Sequence, residues 1–131
     1  MDKDSCTIYR GHFFTLEWYY DVQGKSQVYD YFLSTLPEQK RKFLILAKKI
    51  GDFGKIYDKT KFRNEGDGIY AFKPQPDRYL SFFTQAKKII VTNGFLKKTN
   101  KLPKTEKELA LKRMQDYIKR NSGGNNDGND L

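Results

Sequence analysis

Hydrophobic and polar positions alternate through residues 14–21: Phe14, Leu16, Trp18 and Tyr20 are separated by Thr15, Glu17, Tyr19 and Asp21. A period of two predicts a strand with one buried face. Gly24 ends it, and Ser26 is placed to cap a helix whose apolar set is Val28, Tyr29, Phe32, Leu33 and Leu36. Pro37 suits the first position of a second helix, where its missing N–H would be unpaired in any case. Phe43, Leu46, Ala47, Ile50 and Phe53 form one stripe of that helix, Lys40, Arg41, Lys48 and Lys49 largely face away, and Gly51 and Gly54 close it. The period then changes. Residues 69–73, 79–83 and 88–96 read as three strands, the first two parted by Pro74-Gln-Pro-Asp77 and the next two by the short Gln85-Ala-Lys87 link, which predicts an antiparallel meander. Gly66 and Gly68 flank its entry and Gly94 can bend its last strand. A final helix opens on the capping box Thr105-Glu-Lys-Glu108 behind Pro103, with Ala110, Met114, Tyr117 and Ile118 as its apolar side.

The order β-α-α-β-β-β-α is that of an α+β domain over residues 1–121. It predicts a twisted antiparallel sheet with the two N-terminal helices packed on it and a C-terminal helix. Residues 122–131 carry Gly and Asn without apolar periodicity and read as a disordered tail. No internal repeat is present.

Composition supports one core. Nine Tyr, ten Phe and one Trp bring large apolar area from few positions, although mean hydropathy is −0.81. Cys6 is the sole cysteine, which excludes a disulfide framework and a thiol metal site. The longest aliphatic run, Phe43 to Ala47, is far short of a membrane span, and Met1-Asp-Lys-Asp-Ser lacks the apolar centre of a secretory signal. The expectation is a cytoplasmic chain without membrane contact.

Charge changes the picture more. Twenty-five Lys and Arg against sixteen Asp and Glu leave +9, and Lys97 to Arg120 alone holds nine basic residues and three acidic ones. Such a field concentrates polyanions, although a solvated helix face accounts for a charge run equally well. Conventional catalytic equipment is sparse. His12 is the one histidine, placed at a strand edge where a surface role is the ordinary one, and no HExxH, Cys/His cluster or phosphate loop occurs. Neither a metal nor a cofactor is expected.

What remains is cations at strand ends: Lys59, Lys61 and Arg63 before the meander, Arg78 at the start of its middle strand, and Lys97, Lys98, Lys101 and Lys104 after its last. If the three strands are adjacent and antiparallel with short links, Arg78, Lys97 and Lys98 can converge at one edge or face. RNA carries its own nucleophile, the 2′-hydroxyl, so positioning and charge stabilisation can suffice to cleave it. Arg grips two phosphate oxygens, and a lysine crowded by other cations can trade a proton. The same cations can also serve only to solubilise strand ends.

Phe14-Thr-Leu-Glu-Trp-Tyr and Gly24-Lys-Ser-Gln-Val-Tyr-Asp-Tyr-Phe-Leu resemble the opening strand and helix of phage-derived HigB-like toxins in the RelE superfamily. Gly68-Ile-Tyr-Ala-Phe-Lys and Asp77-Arg-Tyr-Leu-Ser-Phe-Phe resemble their central strands. Asn93-Gly-Phe-Leu-Lys-Lys, followed by Pro103, Glu106, Ala110 and Arg113, is similar to the family's Gly-Phe-x-Lys-Lys signature. The resemblance covers about residues 13–120. It implies a RelE-like fold and a metal-independent, ribosome-dependent mRNA endonuclease of a type II toxin–antitoxin system, held in a hetero-oligomer by a helix-turn-helix antitoxin. By position, Arg78 matches the family's strand arginine and Lys97 and Lys98 its basic pair, while Lys59, Lys61 and Arg63 match more loosely. Arg78, Lys98 and Lys61 are thereby the expected catalytic groups, and Lys59, Arg63, Lys97, Lys101 and Lys104 the expected RNA contacts. Some relatives use a His or Tyr near the C-terminal part of the site; no His follows His12 here, and no Tyr lies between Tyr79 and Tyr117. Two other functions stay open: a same-fold toxin that poisons a protein such as gyrase, as ParE-like toxins do, and a non-catalytic basic RNA- or DNA-binding module.

Overall fold

The computed structural model describes residues 6–129, with side chains through Ser122. Its elements are β1 (Thr7–Arg10), β2 (Thr15–Trp18), α1 (Gln27–Ser34), α2 (Pro37–Phe53), β3 (Phe62–Gly66), β4 (Ile69–Phe72), β5 (Asp77–Phe83), β6 (Lys88–Leu96) and α3 (Lys104–Asn129). The six strands form one mixed sheet in the order β1-β2-β6-β5-β4-β3. The α+β class holds and the β4-β5-β6 meander is antiparallel as expected, but β2 runs parallel to β6, with Leu16 opposite Ile89. β1 and β3 are additions to the expected order. Both lie at sheet edges and carry one or two large apolar residues each, so alternation does not announce them.

Both faces of the sheet are covered. One core joins Trp18, Val28, Phe32, Phe43, Ile50, Phe72, Tyr79 and Val91 beneath α1 and α2. A second joins Tyr19, Ile69, Leu80, Phe82 and Ile90 beneath Ala110 of α3. Because β6 is buried on both sides, Ile89, Ile90 and Val91 are consecutive apolar residues rather than an alternating set. A bulge at Thr92 puts Leu80 opposite Asn93 but Ser81 opposite Val91. The extra residue turns Asn93 toward α3, where its amide donates to Glu106 Oε1 at 2.9 Å.

Ser26 caps α1, its Oγ accepting from Tyr29 N at 3.2 Å, and Pro37 opens α2 as expected. Other details correct the sequence reading. α2 runs through Gly51 to Phe53 and is capped by Gly54 alone, at φ 80°. Gly51 instead serves a tertiary contact, because its carbonyl accepts from Phe13 N at 2.7 Å and Phe14 N at 3.0 Å, docking the β1–β2 turn on the helix. A Cβ on Gly11 would lie 2.2 Å from the Gly51 carbonyl carbon, so glycine there permits backbone-to-backbone contact. Gly94 likewise admits the Tyr31 and Tyr79 rings, which a Cβ would meet at 2.9 and 2.8 Å. α3 starts at Lys104, with Lys107 N bonded to Pro103 O at 3.2 Å, so Thr105 sits within the first turn and is not its cap. Leu33, Leu36, Phe53 and Ile118, expected on buried stripes, are at least half exposed because they fall at helix ends or flanks. The helical span of α3 runs on to Asn129, and side chains of the tail read at 122–131 lie outside the described residues beyond Ser122. No helix among the described residues is long and apolar enough to cross a membrane.

Candidate active site

Period-two geometry assembles the site on the α3 side of the sheet, at the end where β4 leaves and β5 enters. Ile69 and Ala71 of β4 face α3, and Lys73 continues that series one step past the strand. Arg63 is the register partner of Ala71, and Arg78 the partner of Phe95. Lys97 follows Phe95 by two and is held by its own amide, which donates to Pro76 O at 3.0 Å. Four cations, Arg63 of β3, Arg78 of β5, Lys73 just past β4 and Lys97 just past β6, thus share one face, and the segment leading to α3 folds over them. The resulting pocket of about 200 Å³ is walled by Arg63, Glu65, Lys73, Arg78, Lys97, Lys98, Lys101 and their neighbours.

Arg78 is anchored from behind. Its Nη1 donates to the Asp77 carbonyl at 3.0 Å, and the Asp77 carboxylate is fully buried on the opposite side. That carboxylate accepts from the Tyr31 hydroxyl of α1 and from Gln39 Nε2 of α2, the latter at 3.0 Å to Oδ2. Gln39 in turn accepts from Leu36 N at 3.1 Å, so the entry to β5 is tied to both N-terminal helices. Burial lowers the pKa of Arg78 and raises that of Tyr31, the latter helped by the bond to Asp77.

At Lys73 the charged ammonium is disfavoured. Burial lowers its pKa, and repulsion from Arg63, Arg78 and Lys97 adds to that, while Glu65 opposes it. Glu65 is the one carboxylate among the described walls.

Of the residues expected from sequence, Arg63, Arg78, Lys97, Lys98 and Lys101 come together here. Lys59 lines a neighbouring groove, which Arg63 also borders. Lys61 and Lys104 are not among the walls; Lys61 sits one ladder step away, its carbonyl accepting from Lys73 N at 2.8 Å. His12 is exposed in the β1–β2 turn against Phe13, away from the pocket. Lys73 and Glu65 are the additions. The alternation Ile69, Ala71, Lys73 is the signal from which Lys73 could be placed on the same face as Ile69, whereas Glu65 belongs to a strand the sequence does not announce.

The model of phage-derived proteins described as Gp49-like (DUF891) matches residues 30–115, about two thirds of the chain. This chain belongs to the Gp49-like family. The match runs from α1 to α3 and takes in β3 to β6, so the pocket lies inside the Gp49-like region. None of the curated proteins matches the chain. Within this Gp49-like domain no three His, Cys, Asp or Glu side chains gather as metal ligands among the described residues.

Proposed function

We propose that this Gp49-like protein is the toxin of a type II toxin–antitoxin system, and that it cleaves mRNA on the ribosome in the cytoplasm without a metal. The observation that carries the reading is the basic pocket: cations on or just past four strands converge on a volume suited to a phosphodiester, with a lysine of depressed pKa among them. Membership of a phage-derived family is consistent with the resemblance to HigB-like toxins.

In the proposed reaction the RNA 2′-oxygen loses its proton and attacks the adjacent phosphorus. The P–O5′ bond breaks, leaving a 2′,3′-cyclic phosphate and a 5′-hydroxyl. Lys73, whose neutral amine is favoured by burial, takes the 2′-proton, and Lys98 gives a proton to the departing O5′. Arg78 stabilises the charge that builds on the phosphate oxygens. Arg63, Lys97 and Lys101 hold flanking phosphates, and Lys59, Lys61 and Lys104 extend the positive field around them. The proposed regulator is a helix-turn-helix antitoxin in a hetero-oligomer.

The test is mapping of RNA ends after brief induction, with variants in parallel. Codon-phased cuts in translated mRNA are expected, and Arg78→Ala should reduce them by about 10²–10³ in rate. Lys98→Arg keeps charge but removes easy proton transfer, so it should lose cleavage while retaining ribosome binding. Growth arrest without any codon-phased cut, or full toxicity in Arg78→Ala, would overturn the reading.

A further inference from the structure

A second surface meets the pocket at Arg63. β3 is one of the two edge strands of the sheet, and Arg63 borders both the pocket on the α3 side and a larger groove, about 1080 Å³, on the α1/α2 side. The groove floor is aromatic: Phe62 and Tyr70 stack with centroids 5.5 Å apart and planes within 10°, and Phe83 meets Tyr70 edge-on. Its rim carries Lys55, Lys59 and Arg63, and no carboxylate is among its described walls. The cleft between α1 and α3 differs, with Asp21, Asp30 and Asp116 in its lining. Above the floor stands Tyr57, which is 82% exposed, with Lys55 Nζ 5.9 Å from its ring centroid.

We propose that this groove binds single-stranded RNA continuous with the strand in the pocket, one base stacking on Tyr57 while Lys55 and Lys59 hold its phosphates. A ring so exposed contributes little to the core, yet it offers a face on which any base can stack. Three cations without a carboxylate suit a polyanion. Because β3 is the last strand, RNA leaving the pocket at Arg63 reaches the groove by rounding one edge and crosses no other strand. The inference rests on the proposed function for the identity of the polymer, and adds a contact site outside the reacting centre that sets how much flanking RNA is held.

The experiment is binding of the full chain to fluorescent single-stranded RNA of about twelve nucleotides, against a trinucleotide held by its phosphates at the pocket. Tyr57→Ala should weaken the longer RNA roughly 5- to 150-fold, leave the trinucleotide unchanged, and be rescued by Tyr57→Trp. Lys55→Ala with Lys59→Ala should reduce the slope of log affinity against log salt by about 1.4, or roughly 0.7 per lost phosphate contact. RNA carrying 5-bromouridine should photo-crosslink to Tyr57. Equal affinity of wild type and Tyr57→Ala for the longer RNA, or no crosslink at residue 57, would overturn the proposal and leave the groove to a protein partner. Failure of the two readings is separable. Arg78→Ala should slow cleavage by about 10²–10³ yet keep the Tyr57-dependent binding, whereas Tyr57-dependent binding by a wild-type protein that cuts no translated mRNA would sink the interferase reading and leave the groove standing.

Discussion

Asp77 shows how one buried side chain can set a site it does not line. Its carboxylate accepts from Tyr31 and Gln39 on one side of the sheet, and its carbonyl accepts from Arg78 on the way to the other. Asp77→Asn would replace one acceptor oxygen by an amide donor and remove the negative charge that strengthens the bonds from Gln39 Nε2 and the Tyr31 hydroxyl. Gln39 cannot simply flip, because its Oε1 already serves Leu36 N. The substitution should lower stability by about 1.5–3 kcal/mol, the range for hydrogen bonds to a charged group, and urea denaturation would check it. Lys73 carries a pH signature. Its folded pKa lies below the ordinary 10.5, chiefly because of burial. Between the two values the unfolded chain binds more protons, so this group's contribution to stability rises as pH climbs through the folded pKa toward 10.5. Cleavage that needs the neutral amine should also rise with pH and level off below the range of an ordinary lysine. In Lys73→Arg that limb should vanish and the rate fall by about 10²–10⁴. An unchanged pH–rate profile in this variant would remove Lys73 from proton transfer.

Among the elements, the meander and the two N-terminal helices were legible because each keeps its own period. Phe43, Leu46, Ala47 and Ile50 repeat at helical spacing, and all are buried on the sheet. β1 and β3 were not legible, since an edge strand pairs through its backbone on one side and needs few apolar residues. Helix propensity misleads at Gly51, where a glycine inside α2 reads as a stop although the helix continues. The close approach of Gly11 to Gly51 gives a test. Gly11→Ala places its Cβ against rigid backbone and should cost at least about 1–3 kcal/mol, the usual penalty of overpacking. Gly51→Ala meets the Tyr9 ring at 2.9 Å and the Phe14 carbonyl oxygen at 3.2 Å, milder clashes than the 2.2 Å contact at Gly11, and gains roughly 1 kcal/mol of helix propensity. Thermal melts should therefore show Gly11→Ala to be the more damaging change; the reverse order would mean that the β1–β2 turn does not dock as described. α3 is secured differently, by Tyr19, whose hydroxyl donates to Asp116 while Arg120 pairs with the same carboxylate at 2.7 Å.

For the whole molecule, the net charge of +9 matters through its placement. Lys97, Lys98 and Lys101 line the pocket, whereas Lys104 in the same basic run does not. Replacing the first three with Ala should reduce the salt slope of RNA binding by about 2, at roughly 0.7 per contact, and Lys104→Ala should change it far less. Equal effects at all four would mean that the run acts as a diffuse field rather than as a pocket wall. Sequence alone determined the α+β class and the order of the meander and helices, and it allowed Arg78 to converge with Lys97 and Lys98, because short links and a two-residue period leave few arrangements. It could not determine that β2 joins β6 in parallel, since that pairing is between segments far apart in the chain whose partners no local pattern encodes. Nor could it place Glu65 beside Lys73, or link the aromatic groove to the pocket. Those juxtapositions arise only when β3 takes the sheet edge, where one residue, Arg63, faces both surfaces and where burial depresses the pKa of a lysine that in the unfolded chain would be ordinary.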